Sequence, residues 1–94
     1  MNITHKFKIE ETEYTLQKLP VMEALKLRDR CKKGADMDSV KFYTELLEHV
    51  VITPKNLTLN SFDDVSDVEE LMKEVIKFQY GKREKKQQSK KLRD

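Results

Sequence analysis

The chain is poor in the residues that most site chemistry needs. In 94 residues it has one cysteine, two glycines, two prolines and two histidines. Cys31 alone cannot form an internal disulfide, and a secreted domain of this size usually needs several. Gly34 and Gly81 lie far apart, which rules out a glycine-rich phosphate cradle or a dinucleotide fingerprint. His5 and His49 have no second histidine or cysteine at metal-ligand spacing, so neither a metal nor another cofactor is expected. No apolar run approaches the roughly 20 residues of a membrane span, and none at the N-terminus resembles a signal peptide. A cytoplasmic protein without bound cofactor is the expectation.

Charge is what the chain has in quantity. Charged residues make up 38% and hydrophobic residues 37%. The first is above ordinary globular usage and the second below it, so the core of this one small domain must be thin. Such a chain is marginally stable alone or completed by a partner. The charge is also uneven. Residues 82–94 carry seven Lys/Arg against Glu84 and Asp94, and the other 81 residues carry 12 basic against 15 acidic. The division expected is a single globular domain over 1–81 and a basic, disordered tail over 82–94, whose composition cannot bury a core.

Residues 1–18 alternate between apolar and polar. Ile3, His5, Phe7 and Ile9 share one face of an extended segment, and Tyr14 and Leu16 share one face of a second. A tight loop at Glu11-Thr12 would pair Ile9 with Tyr14 and Phe7 with Leu16, a hairpin with its apolar residues on one side. Leu19-Pro20 then opens a first helix. Its buried stripe is read as Val21, Ala24, Leu25 and Cys31, flanked by Met22 and Leu27. Glu23, Lys26 and Arg30 face water. Lys32 and Lys33 complement the dipole of its last turn, and Gly34 closes it.

The stretch from Phe42 to Lys82 holds most of the remaining apolar residues. Asp38 is the favoured cap of a second helix, Asp36 the alternative. Over about Ser39 to Val51, Phe42, Tyr43, Leu46, Leu47, Val50 and Val51 fall on one broad face, and Lys41, Glu45 and Glu48 on the other. Thr53-Pro54-Lys55-Asn56 stops that helix. Leu57, Leu59 and Phe62 stud a link from Ile52 to Asp64; Leu57 and Leu59 alternate as in a short extended piece, and the favoured reading tucks them under the helix pair as a loop anchor. Ser66 and Glu69 have the spacing of a capping box. A third helix follows to about Tyr80 with Val68, Leu71, Met72, Val75 and Phe78 on one face and Gly81 as its stop. The fold class expected is α+β, mainly helical: an N-terminal β-hairpin followed by an irregular three-helix bundle.

Few side chains suggest chemistry. Cys31 on a buried stripe behaves as a small hydrophobe, without the exposure or neighbouring base of a nucleophile. His49 reads as a boundary residue. Asp63, Asp64, Asp67, Glu69 and Glu70 cluster at the start of the third helix, where its dipole accounts for them. No catalytic residue is assigned, and no enzyme is expected. The more useful feature is apolar surface. The apolar arc of the second helix is wider than a three-helix core needs. Leu27 and Phe42 lie at stripe margins, and Tyr80 lies off the third stripe. These three are the candidate partner-binding residues.

The order of residues through HVVITPKNLTLNSFDD to EVIKFQYGK resembles the small tail assembly chaperones of long-tailed bacteriophages and prophages of Gram-positive hosts. The likeness covers the second half well and the N-terminal hairpin loosely. It implies a non-enzymatic protein that binds the long helical tape measure protein and holds it soluble until tail tube subunits polymerise round it. It also implies the tail tube protein as a further partner, and self-association. In such families a longer product often arises by ribosomal frameshifting near the end of the short frame, to which Lys85-Lys86 and Lys90-Lys91 are suited if encoded by adenine runs. The competing reading is a small DNA- or RNA-binding regulator using its helices and basic tail. Against it, the exposed face of the second helix, Lys41, Glu45 and Glu48, carries no base-reading set. The tail has no aromatics for stacking, so nucleic-acid binding is expected to be weak and non-specific at most.

Overall fold

The structure is a computed structural model that describes residues 3–81. The expectations for 82–94 lie outside the described residues. Two strands open the chain, β1 (Thr4–Ile9) and β2 (Thr12–Gln17), paired antiparallel. The turn is Glu10-Glu11, with Ile9 opposite Thr12, Phe7 opposite Tyr14 and His5 opposite Leu16. The expected pairing is therefore displaced by two residues. A displacement of two keeps every side chain on its face, so Tyr14 and Leu16 are still buried and Lys6 and Lys8 still point to water. Glu10 takes a positive φ of 55° to make the turn.

Helix α1 spans Val21–Arg30. It begins behind Pro20, whose carbonyl accepts from the Ala24 N–H at 3.0 Å. Its buried row is Ala24, Leu27 and then Cys31 at the helix end, a spacing of three and four that makes one stripe. That stripe is turned toward Leu27 relative to the expected one, and Val21 and Leu25 are exposed. Gly34 does not close the helix. Lys32–Lys33 and Asp36–Met37 form a small antiparallel pair, β3 and β4, and Gly34 supplies the φ of 66° in the turn between them.

Asp38 caps α2 (Ser39–His49) as the sequence suggests, its carboxylate accepting from the Lys41 N–H at 3.2 Å. The helix is shorter than expected. Val51–Thr53 leaves it as β5, which pairs with β2 and makes a three-stranded sheet in the order β1-β2-β5. A short 3₁₀ turn at Leu59–Ser61 leads to α3 (Val65–Tyr80). The N-cap of α3 is Asp64 and not Ser66. The Asp67 N–H is satisfied by the Asp64 carbonyl at 3.1 Å, and Ser66 sits inside the first turn, exposed. Gly81 ends α3 as expected. A β-carbon there would run into the carbonyl oxygen of Lys77, which accepts from the Gly81 N–H at 3.0 Å.

The class is α+β. The core is shared among all the larger elements: Tyr14 and Leu16 from β2, Leu27 from α1, Leu46 and Leu47 from α2, Val51 from β5, and Leu71, Met72 and Val75 from α3. The sheet therefore supplies part of the core that a bundle would supply from helices alone. Among the described residues, no helix is long and apolar enough to cross a membrane.

Candidate functional site

The three side chains expected at the surface are mostly inside. Leu27 is 1% exposed and Phe42 is 7% exposed. Phe42 packs beside Tyr80, with ring centroids 5.9 Å apart. The wide apolar arc of α2 is likewise consumed by the core: Phe42, Leu46 and Leu47 are buried, as is Val50 behind them. The arc is wide because α2 packs on several elements at once, and the excess that suggested a partner-binding stripe is absorbed by the sheet and by α3. Leu57 and Leu59, by contrast, do pack against the core from the link.

Tyr80 leads to the surface that sequence reasoning missed. It is half-buried, donates from its hydroxyl to the Ala24 carbonyl at 2.7 Å and lines a groove of about 570 Å³. Ile3, Leu19, Val21 and Leu25 line the groove with it, and Ala24 and Gln79 contribute as well. Three of these are large and open to solvent: Val21 is 76% exposed, Ile3 58% and Leu25 42%. Met22, beside Val21 on α1, is 65% exposed. Val21, Leu25 and Arg28 follow at i, i+4 and i+7, which makes them one row of α1 alongside the buried row. That second row was available in the sequence, but Val21 and Leu25 were credited to the core.

The groove has a firm floor. The Gln79 side chain accepts from the Leu19 N–H at 2.8 Å and donates to the Leu19 carbonyl at 3.1 Å. With the Tyr80 hydroxyl bond, this ties the end of α3 to both the end of β2 and the first turn of α1. Burial raises the Tyr80 phenol above its ordinary pKa, with Arg28 partly opposing. It therefore remains a hydrogen-bond donor across the neutral range. Two cations stand at the rim: Lys18 lies over the Phe78 ring at 5.2 Å and Arg28 over the Tyr80 ring at 5.4 Å.

A smaller groove of about 350 Å³ lies where α2 and α3 begin. Val40, Tyr43, Leu59, Phe62 and Val65 form its apolar part, and Asp63, Asp64 and Glu69 its rim. The acidic cluster noted in the sequence thus borders an apolar surface.

The groups that might carry chemistry are separated. Cys31 is fully buried and its thiol is pushed up, first by that burial and then by Glu45. His49 approaches Glu45 at 3.4 Å, and Glu45 pairs with Arg30 at 2.7 Å. His5 stacks between Phe7 and Phe78, at centroid distances of 5.3 and 5.5 Å. Among the described residues, no group of three or more His, Cys, Asp or Glu could hold a metal ion. Comparison with family models, curated proteins and solved structures gave no match for this chain.

Proposed function

We propose that this protein is a non-enzymatic tail assembly chaperone that captures an apolar helical stripe of a tape measure protein in the groove beside α1. The observation that supports this most is the exposed apolar row itself, Val21 and Leu25 on one helix, with Ile3 across the groove and Met22 exposed beside it. In a chain that is 38% charged, a contiguous apolar surface is out of keeping with the rest and marks a place of contact. A helix laid in such a groove buries apolar area from both sides, at about 25 cal/mol per Å² before ordering costs. The irregular assembly of three helices on a small sheet provides a firm platform for that contact, and no nucleotide or metal is required. Under this reading the protein acts in the cytoplasm of a bacterial host, with the tail tube protein as a further partner and self-association as a feature of the assembly.

Co-expression with a tape measure fragment tests the proposal. The wild type should keep the fragment soluble. Val21→Glu and Leu25→Glu should each lose that ability while retaining native circular dichroism, because both side chains are already in water. A fragment equally insoluble with and without the wild type refutes the proposal. Gene order is a second check: a very long reading frame downstream is expected.

A further inference from the structure

We infer that the occupant of the α1 groove is an amphipathic helix whose apolar stripe is flanked by acidic residues, held at the rim by Lys18 and Arg28. The inference rests on the function proposed above and adds the charge of the partner. Among the described residues, Lys18 and Arg28 are the only charged residues lining the groove. Neither is paired with a carboxylate among the described residues. Each cation is seated over an aromatic ring, Phe78 or Tyr80. That contact fixes its position at modest cost and leaves N–H groups free to donate. Arg28 continues the row of Val21 and Leu25, which places a carboxylate partner in line with the apolar contact.

The chain beyond the groove has the same sign. Gly81 follows Tyr80, a lining residue, and the next 13 residues carry seven Lys/Arg against two acidic residues. The smaller groove between α2 and α3 has the opposite rim, with Asp63, Asp64 and Glu69. An acid-flanked helix is therefore steered to the α1 groove and repelled from the other.

Two synthetic helical peptides of about 20 residues test this. They share one leucine stripe at i, i+3, i+4 and i+7 and carry either glutamates or lysines beside it. Binding to the full chain is read by fluorescence anisotropy at low and at physiological salt. The glutamate peptide is expected to bind about tenfold more tightly at low salt, the scale of a few exposed charge contacts, with the gap narrowing as salt rises. Lys18→Glu/Arg28→Glu should reverse the preference, and Lys18→Gln/Arg28→Gln should remove it. Equal binding of both peptides, or tighter binding of the lysine peptide, overturns the charge inference and leaves apolar capture standing. If neither peptide binds and the chain self-associates through Val21 and Leu25, the groove belongs to a second copy and the inference fails. If neither binds and the chain stays monomeric, it also fails. Co-expression of the tape measure fragment then decides separately whether the proposed function falls too.

Discussion

Gln79 and Leu19 are 60 residues apart and exchange two hydrogen bonds, with the side-chain amide of Gln79 meeting both the N–H and the carbonyl of Leu19. The amide thereby acts as a one-residue strand partner at the end of the sheet. Gln79 is buried, so its loss would strand two backbone groups where water reaches them poorly. Gln79→Ala is expected to cost about 2–3 kcal/mol in a urea melt, the range for leaving buried polar groups unpaired. Gln79→Leu should cost a comparable amount although it adds apolar volume, since it too leaves both Leu19 groups without their partner. A change within a few tenths of a kcal/mol for both would show that Leu19 finds other partners.

Leu27 and Leu25 sit two residues apart on α1 and should behave oppositely. Leu27→Ala empties a fully packed position and is expected to lower stability by about 2–5 kcal/mol. Leu25→Ser should cost less than about 1 kcal/mol, since the side chain is already substantially in water. Phe42→Glu belongs with Leu27: a charge buried beside the Tyr80 ring should prevent folding. Parallel thermal melts of the three variants check the assignment of core and surface.

Glu10 holds a left-handed backbone conformation in the β1–β2 turn, which an L side chain resists by about 1–2 kcal/mol. Glu10→Gly removes that resistance and adds about 0.5–1 kcal/mol of unfolded-state entropy to be lost. The net expectation is a gain of up to about 1 kcal/mol, read as a raised melting temperature. A lower melting temperature would mean that the Glu10 side chain makes a stabilising contact.

The Glu45–Arg30 pair ties α2 to α1 at 2.7 Å. The hydrogen bond from Arg30 is the main reason that Glu45 titrates below the ordinary glutamate range. A carboxyl with a depressed folded pKa stabilises the fold fully above its unfolded pKa and loses that contribution as pH falls through the folded value. Arg30→Ala should therefore reduce stability only slightly at neutral pH, because Arg30 is well exposed and solvent screens the pair. The difference between variant and wild type should shrink as pH falls below the usual glutamate range. A difference that stays constant to strongly acidic pH would contradict the assignment.

Face was easier to read from the chain than position. Alternation in the first 18 residues identified the buried faces of β1 and β2. It could not choose between two pairings that differ by two residues, since both satisfy the same apolar pattern. The cap at Asp38 and the stop at Gly81 were legible because each is local chemistry. Ser66 failed as a cap because Asp64 had already turned the chain, and one residue spacing cannot show where the first turn begins. The Val51–Thr53 strand was hidden because its first residue continues the apolar pattern of α2, and three residues are too few to show a period of their own. The groove was missed for a different reason. Val21 and Leu25 are apolar and correctly spaced for a core, and only the packing of Ala24, Leu27 and Cys31 shows that the core was filled without them.

The sheet itself is poorly suited to recruiting another chain. Its outer strand β1 carries Lys6 and Lys8 in solvent, and its other outer strand, β5, is three residues long and is followed at once by Pro54. Charge on one margin, and brevity with a missing N–H on the other, are the features that keep strands from being extended by strangers. An unguarded edge would let the backbone of another chain pair with it and draw the protein into aggregates. Here both margins are guarded, while the apolar groove draws Val21 and Leu25 from a helix and Ile3 from ahead of β1.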